Sequence, residues 1–435
     1  MSRQADRRGA ESAADVRSRG SRQKVSLFGD VSSVNLRTNR IRRALCQRSC
    51  WYRKHGSSKG ILKVLQPTNP DAKEGVPFSD DDFFVDPKTI GKPLQMRVLD
   101  PIHQPEWDQL VALHRDAVCF HSSAWAKVLY QSYGHRPFYL HFSRGGRLVA
   151  LIPLMEVRSP FTGCRGVCLP FSDMCEPLIF EPDALGFIRE RLLHLAQQSR
   201  WTHLEIRGGK SFQPTAGTAT KFWAHTLTLR REPEQLLARF GSSVRRAIRK
   251  AEHNGVSATV AHSRKSVGDF YQLHVRTRRR HGLPPQPASF FLNVYEHIIK
   301  PGHGFTVLAQ RGCRQIAGAI FFHFGKNGLY KYGASDNRFQ EFRANNLVMW
   351  RGIQFLARQG AEGLHLGRTD YENDGLRRFK LSWGTEEEAL NYFRVDPSGR
   401  EYAVRRDSAF HKRIFCRLPL AFNRLAGSMI YPHLD

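Results

Sequence analysis

The sequence predicts an α/β (α+β) protein made of two similar units, and three observations predict it. A chain of 435 residues is too long for one ordinary core. From Met96 onward, short apolar stretches of strand type alternate with segments of helical spacing. Arg144-Gly-Gly-Arg-Leu-Val-Ala-Leu-Ile-Pro153 and Arg311-Gly-Cys-Arg-Gln-Ile-Ala-Gly-Ala-Ile320 share a turn-then-strand layout, each after a short apolar strand, as two copies of one unit would. The boundary between the copies is expected near Ala224 to Pro233.

In the first unit the spacing predicts a helix over Ser122–Ser132, a strand over Phe138–Phe142 and a longer strand over Arg147–Val157, the last two joined as a hairpin at Gly145-Gly146. Trp125 and Tyr133 sit at helical spacing as core or cleft aromatics. Asp183–Gln198 reads as a helix, Leu204–Ile206 and Thr226–Leu229 as short strands. Pro233–His253 then reads as one helix, with Arg245, Arg246, Arg249 and Lys250 on neighbouring turns. Such a cluster suits an anion, and equally a solvated basic face. Asn254-Gly255 closes this helix, and Val256–Val260 follows as a strand. The second unit continues with helices over Val267–His281 and Ser289–Ile299, strands over Phe305–Ala309, Gln315–Phe324 and Gly328–Gly333, a helix over Asn345–Gln359 and a strand over Gly363–Leu366.

Composition narrows the class of partner. Hydrophobic residues at 41% and aromatics at 11% supply real cores and exclude overall disorder. Lys and Arg number 67 against 39 Asp and Glu, and the resulting +28 attracts nucleic acid, nucleotide-linked substrates or anionic lipid. Eight cysteines, neither dense nor regularly spaced, argue against a disulfide framework and for a reducing, cytoplasmic compartment. Cys164, Cys168 and Cys175 lie close together, but no second cluster completes a zinc site, so no metal is expected. No uncharged apolar run approaches the roughly 20 residues of a membrane span, and the start of the chain lacks a signal-peptide core.

Residues 1–95 are Arg- and Ser-rich, as in Arg37-Thr-Asn-Arg-Ile-Arg-Arg43, and then Pro- and Asp-rich, with no periodicity. They read as a disordered basic arm, as a transit peptide, or as sequence upstream of a true start at Met96, the last being the preferred expectation. Residues 397–435 are expected to form a basic, partly helical tail.

The element order of the second unit, two helices, an antiparallel meander and a crossover helix leading to another strand, is that of the GNAT acyltransferase fold. Within it, His274-Val-Arg-Thr-Arg-Arg-Arg-His-Gly-Leu-Pro-Pro-Gln-Pro287, Leu329-Tyr-Lys-Tyr-Gly-Ala-Ser-Asp336, Gly367-Arg-Thr-Asp370 and Phe379-Lys-Leu-Ser-Trp-Gly384 resemble the FemAB-type transferases. The resemblance covers roughly Val98–Val395. It implies two tandem GNAT-like domains, 96–230 and 231–396, each a mixed, mainly antiparallel twisted sheet flanked by helices, the second carrying the transferase site. The best-understood members of this family transfer amino acids from aminoacyl-tRNA onto peptidoglycan precursors, and looser relatives are BioF2-like acetyltransferases or FemAB proteins of exosortase systems. The implied activity is transfer of an aminoacyl or acyl group onto an amine of a cell-envelope precursor or a polysaccharide-linked acceptor. Aminoacyl-tRNA or acyl-CoA would be the donor co-substrate, with no tightly bound cofactor. The amine acceptor would be lipid- or nucleotide-linked, and the enzyme cytoplasmic, with peripheral association at the inner membrane surface. Two alternatives stand beside this reading: an acyl-CoA-dependent GNAT N-acetyltransferase, and a non-catalytic basic nucleic-acid-binding protein using the arm and the Arg245–Lys250 segment.

Acyl transfer to an amine needs a neutral nucleophile, a place for negative charge on the attacked carbonyl, and a cradle for a phosphate-bearing substrate. A strand splayed from its neighbour offers backbone N–H groups, and the N-terminus of the following helix receives phosphate. The stretch Tyr330–Asn346 would supply both, with Tyr332, Ser335, Asp336, Asn345 and Asn346 as contacts. Ordinary acetyl-CoA enzymes carry a glycine-rich turn before that helix, whereas Asn337-Arg-Phe-Gln-Glu-Phe-Arg-Ala-Asn-Asn346 has no glycine, which weighs against a standard CoA site. By the resemblance, Phe379 and Lys380 match a Phe-Lys pair lining the catalytic channel, where the lysine stabilises developing charge or orients the donor. The alternative is an exposed lysine at a strand start, which the flanking Phe379 and Trp383-Gly384 oppose, and Trp383 is expected to contact substrate. Arg368 and Asp370, just after a strand end, are either substrate contacts or an ion pair holding a loop. Arg276 and Arg278 to Arg280, with Arg276 and Arg280 foremost, would grip a diphosphate, or belong to a solvated helix face. In Leu169-Pro-Phe-Ser-Asp-Met-Cys-Glu-Pro177 the resemblance makes Ser172, Asp173 and Glu176 acceptor contacts, and the residues alone read as a turn capped by Ser and Asp. Neither a Ser-His-Asp order nor a metal constellation emerges, so direct attack by the amine on the bound donor is expected.

Overall fold

A computed structural model describes residues 92–104, 106–208, 212–403 and 410–435. The expectations for the N-terminal arm fall, but for its last few residues, outside them. Strands are β1 Leu94–Leu99, β2 Arg136–Pro137, β3 Tyr139–Arg144, β4 Arg147–Ile152, β5 Met155–Ser159, β6 Gly163–Val167, β7 Leu178–Ile179, β8 Leu204–Arg207, β9 Thr220–Thr228, β10 Val256–Ala261, β11 Gly304–Arg311, β12 Arg314–Phe324, β13 Asn327–Ser335, β14 Gly363–Asp370, β15 Glu386–Val395 and β16 Glu401–Ala403. Helices are α1 Glu106–Ala112, α2 Ser123–Tyr133, α3 Leu185–Gln198, α4 Pro233–Arg239, α5 Ser242–His253, α6 Arg264–Arg280, α7 Ala288–Val294, α8 Ala344–Arg358, α9 Asp374–Leu381, α10 Phe410–Arg417 and α11 Leu420–Ile430.

The strands form a small sheet in the order β1-β3-β4-β7 and a large twelve-stranded one in the order β10-β11-β12-β13-β14-β9-β15-β8-β6-β5-β2, with β16 on β15. Most pairings are antiparallel, and helices flank the sheets, so the α/β (α+β) class holds. The large sheet joins both halves. β9, which runs into the expected boundary, lies between β14 and β15 of the second half, and β15 in turn pairs with β8 of the first.

Three local expectations need correction. The single strand over Arg147–Val157 is two strands in different sheets. Pro153 stands between them, and with no N–H to give to a ladder it ends one pairing where the chain changes sheets. The single helix over Pro233–His253 breaks into α4 and α5 at Phe240-Gly241. There the Phe240 ring turns into the core against Trp350 and Trp383, and the Gly241 N–H donates to the Ser382 carbonyl at 2.8 Å. Finally, Phe379 and Lys380 lie in the last turn of helix α9, not at a strand start. The Asn373 side chain caps α9 by accepting from the Leu376 N–H, a bond that sets the helix start.

Two large apolar clusters carry the packing. One runs from Trp107, Trp125 and Tyr139 of the first half into Phe270, Phe290 and Tyr332 of the second. The other lies under the second half around Phe321, Trp350, Ile353 and Trp383. Trp125 packs edge-on against Phe290 with ring centroids 6.0 Å apart, so the halves share a core and do not merely touch.

Candidate active site

The site begins where two strands part. β13 and β14 pair in parallel only through Asn327–Leu329 with Gly363–His365. Both strands are irregular just beyond that point. The β12–β13 register slips so that Ile320 faces Tyr332 and Phe321 faces Tyr330, leaving Lys331 as a bulge. A bulge puts neighbouring side chains on one side, and the Lys331 ammonium lies 4.9 Å from the Phe120 ring and 5.3 Å from the Tyr332 ring. The β14 pairing with β9 slips between His365 and Arg368, around Gly367 at φ 71°. Glycine suits this left-handed turn, and a Cβ there would stand 3.6 Å from the Asp173 carboxyl.

Asp173 arrives on the loop after β6. Leu169 and Phe171 hold φ of 50° and 59°, a conformation that costs about 1 kcal/mol for each non-glycine residue and persists only where the surroundings enforce it. Here Arg207 Nη1 donates to the Leu169 carbonyl at 3.1 Å and to the Ser172 carbonyl at 3.2 Å. The Tyr392 hydroxyl donates to the Ser172 and Asp173 carbonyls. So fixed, the loop lets Lys331 Nζ donate to the Phe171 carbonyl at 2.6 Å and to Asp173 Oδ2 at 2.9 Å.

Lys380 approaches the same place from α9. Its side chain is buried, with Nζ donating to the Gly367 carbonyl at 2.7 Å and the Arg368 carbonyl at 3.0 Å. Asp173 and Lys380, from the two halves of the chain, therefore meet at Gly367, and Lys331 joins them through its ion pair with Asp173. Burial pulls the Lys380 pKa down to about 8 against the pull of the Asp173 and Asp370 carboxylates. Burial would raise the Asp173 carboxyl, but the Lys331 ammonium, then Arg368, outweigh it and hold the carboxyl below its usual range. Burial likewise draws Lys331 down, opposed by Asp173. His365 accepts from the Gly367 N–H at 3.0 Å through Nδ1, and burial lowers its pKa to about 4, so it stands neutral at neutral pH.

Beside this junction is a cavity of about 430 Å³ walled by the end of α6, the splayed part of β13, the turn over residues 337–343, the start of α8, and α9. Thr277 Oγ1 bridges the Ser335 backbone, donating to its carbonyl and accepting from its N–H. Asn345 Nδ2 donates to Ser335 Oγ at 3.3 Å. The Asp336 carboxylate, bound chiefly by Arg338 and further by Arg314, is held down at about 2. Arg343, at φ 57°, occupies the left-handed position directly before α8, the kind of place a glycine takes, and its exposed side chain lines the cavity.

Of the residues singled out in the sequence, Arg280, Ser335, Asp336, Asn345, Asn346 and Phe379 line this cavity. Asp173 and Lys380 meet at Gly367 next to it. Arg368 lies inside β14, which runs on to Asp370, and its guanidinium stacks over Phe222 and Tyr392 at 4.6 and 4.9 Å. Asp370 is at the exposed end of that strand. Trp383 is fully buried in the core against Phe240, and Tyr332 is buried among Phe290, Phe291 and His274. Arg276 is exposed on α6 outside the cavity wall. The Ser172 hydroxyl donates to the Leu169 carbonyl at 2.7 Å, closing the turn. Glu176 covers Gly208 and lines a second cavity of about 290 Å³. Lys331 escaped the sequence reading; its signal is a lysine between two tyrosines in the middle of a strand. Among the described residues, His203, Glu205 and Asp435 are the one trio close enough to share an ion. Arg207 and Arg394 already bind Glu205, and Arg165 binds Asp435.

The acetyltransferase (GNAT) domain family matches residues 238–381, the stretch that holds the cavity walls and Lys380. The lipid II:glycine glycyltransferase of Staphylococcus saprophyticus is 34% identical over 76 residues, 16% of this chain and 18% of that protein. The enzyme of the same name from Staphylococcus aureus is 33% identical over a stretch of the same length and shares. The match thus spans less than a fifth of the length of those curated relatives. A crystal structure of FemX superposes with a TM-score of 0.55 at 15% identity, over 68% of this chain and 96% of that one, a likeness of fold. Residues 238–381 thus match the GNAT acetyltransferase domain family, and the fold over about two thirds of the chain is like that of FemX.

Proposed function

We propose that the protein is an acyltransferase moving an aminoacyl or acyl group onto an amine of a cell-envelope precursor. The meeting of Lys380 and the Lys331-bound Asp173 at Gly367, where β13 leaves β14 beside the 430 Å³ cavity, is the observation that carries this reading. The donor lies in the cavity, its phosphates toward the N-terminus of α8 and Arg343, and its acyl carbonyl at the parting of the strands. Two of the three Lys380 N–H donors hold the Gly367 and Arg368 carbonyls, and the third serves the oxygen that gains charge on attack. Asp173, kept ionised by Lys331, accepts a hydrogen bond from the incoming amine and orients it. It positions the amine without serving as its base, because its pKa is depressed. The amine nitrogen forms the new C–N bond, the bond from the acyl carbon to the donor oxygen or sulfur breaks, and the amine proton ends on that leaving atom.

The donor favoured is aminoacyl-tRNA. Arg343 stands where CoA enzymes use glycine to let backbone approach a pyrophosphate, and the +28 charge suits RNA. The acceptor is lipid- or nucleotide-linked, as the name of the staphylococcal relatives suggests, and the protein works at the cytoplasmic face of the membrane. No helix among the described residues is long and apolar enough to cross a membrane. The test offers the purified chain radiolabelled aminoacyl-tRNA and, separately, acyl-CoA in an RNA-free mixture, with a lipid II-type acceptor. Ribonuclease-sensitive transfer is expected. Transfer from acyl-CoA alone would replace the tRNA donor, and transfer from neither, with Lys380→Ala leaving RNA binding intact, would favour the non-catalytic alternative.

A further inference from the structure

The last helix of the chain is inside out. An ordinary surface helix packs its large apolar side chains inward and turns its polar face to water. α11 does the reverse. Its buried residues are Asn423 and Gly427. Asn423 is spent on the Phe415 carbonyl at 3.1 Å, and Gly427 approaches so closely that a Cβ would stand 2.0 Å from the Pro285 carbonyl oxygen. On the far side, Phe422, Leu425 and Met429, spaced three and four residues apart, are 62%, 59% and 52% exposed. Ile414 of the neighbouring α10 is 47% exposed, and Leu434 follows at 38%. Scattered single apolar residues on a surface need no account, but an aligned row on one helix face does.

The surrounding charge says what covers this row. From Ser408 to Leu434 the sequence has Lys412, Arg413, Arg417 and Arg424 and no Asp or Glu, and the carboxylate of Asp435, which follows, is bound by Arg165. Arg417 and Arg424 are exposed, and so are Arg276 and Arg280 on α6, against which α10 and α11 pack. A second copy meeting this face about a two-fold axis would bring like charges together. The Arg-rich start of the chain has the same sign of charge. An apolar ridge rimmed by cations without anions matches a bilayer with anionic headgroups, where the ridge enters the acyl boundary and the arginines meet phosphate.

We propose that the α10–α11 segment is the surface by which this protein docks on anionic membranes, with Phe422, Leu425 and Met429 inserted. The segment is continuous with the donor site: Cys416 Sγ lies 3.6 Å from the carbonyl oxygen of Arg280, whose side chain lines the 430 Å³ cavity. Docking there brings the cleft to the depth of lipid headgroups, which serves the lipid-linked acceptor and to that extent rests on the proposed function.

The test is co-sedimentation of the full chain with vesicles of phosphatidylglycerol and phosphatidylethanolamine, against phosphatidylcholine alone. Binding to the anionic vesicles is expected to fall about tenfold or more on the neutral ones and in about 0.5 M NaCl. The triple variant Phe422→Gln, Leu425→Gln, Met429→Gln should lose about tenfold or more at an unchanged melting temperature, since the three side chains are exposed. Phe422→Trp should keep binding and shift its emission to the blue when vesicles are added. The proposal is overturned if the triple variant binds as the wild type does. It is equally overturned if the wild type ignores vesicles, as it would if the face served a dimer that the triple variant breaks. With a water-soluble nucleotide-linked acceptor, the triple variant should transfer as the wild type. If neither protein transfers while vesicle binding persists, the acyltransferase reading fails and the docking surface stands.

Discussion

Replacing Lys380 by Met separates chemistry from architecture. The side chain is 4% exposed, and its pKa of about 8 against an ordinary 10.5 means that folding disfavours its charged form by about 3 kcal/mol. Met removes that cost. It also removes two charged donors, from the Gly367 and Arg368 carbonyls, each worth roughly 1.5–3 kcal/mol. The opposing terms partly cancel, so Lys380→Met should cost no more than about 3 kcal/mol of stability. Transfer should nevertheless fall about 100- to 1,000-fold, the effect of losing one donor to a developing oxyanion. The pH dependence has a fixed sign. A lysine whose folded pKa lies below its unfolded one binds protons more weakly when folded, so its cost is full below pH 8 and disappears as pH rises toward 10.5. Wild-type stability should therefore gain up to about 3 kcal/mol from this group across that window, a gain that Lys380→Met lacks. Urea unfolding at pH 7.5 and 9.5, together with transfer rates per folded molecule, measures both. Transfer within about threefold of wild type, or a stability loss beyond about 4 kcal/mol with the rate per folded molecule intact, would refute the role assigned to the ammonium.

Three further outcomes follow from the same junction. Lys331→Met leaves the Asp173 carboxylate without its ammonium and should cost about 3–5 kcal/mol in urea unfolding, much of it recovered by adding Asp173→Asn; a loss under about 1 kcal/mol would mean that the pair does not hold the loop. Gly367→Ala puts a side chain at φ 71° and should cost about 1 kcal/mol or more, with a larger loss of transfer because the lysine and the carboxylate both meet there. Arg343→Gly relieves a left-handed arginine and should leave stability within about 1 kcal/mol of wild type while raising KM for the tRNA donor several-fold; an unchanged KM would remove Arg343 from the donor site.

Local pattern explains how much of this was readable beforehand. Apolar spacing located α2, α3, α6, α8 and the β11–β12–β13 meander within a few residues, because each is long enough for its own period to speak. The Phe379-Lys380 pair and the polar Leu169–Pro177 loop were legible as residues worth attention, since their chemistry is carried in the letters. Their setting was not. That Lys380 is buried against two backbone carbonyls, that Trp383 belongs to the core, and that Asp173 is held by Lys331, 158 positions away, depends on contacts that leave no periodic trace. The breaks at Pro153 and Gly241 have the same origin: each half-segment keeps its local preference, and the packing partner decides where the chain turns. So the sequence alone determined the α/β class, the cationic character and the segments that hold the chemistry. Tertiary structure decided that β9 lies between β14 and β15, that the strands part at His365, and that Lys380 and the Lys331-bound Asp173 meet at one glycine. Pairing and burial across hundreds of residues are set by the whole fold, not by any window of it.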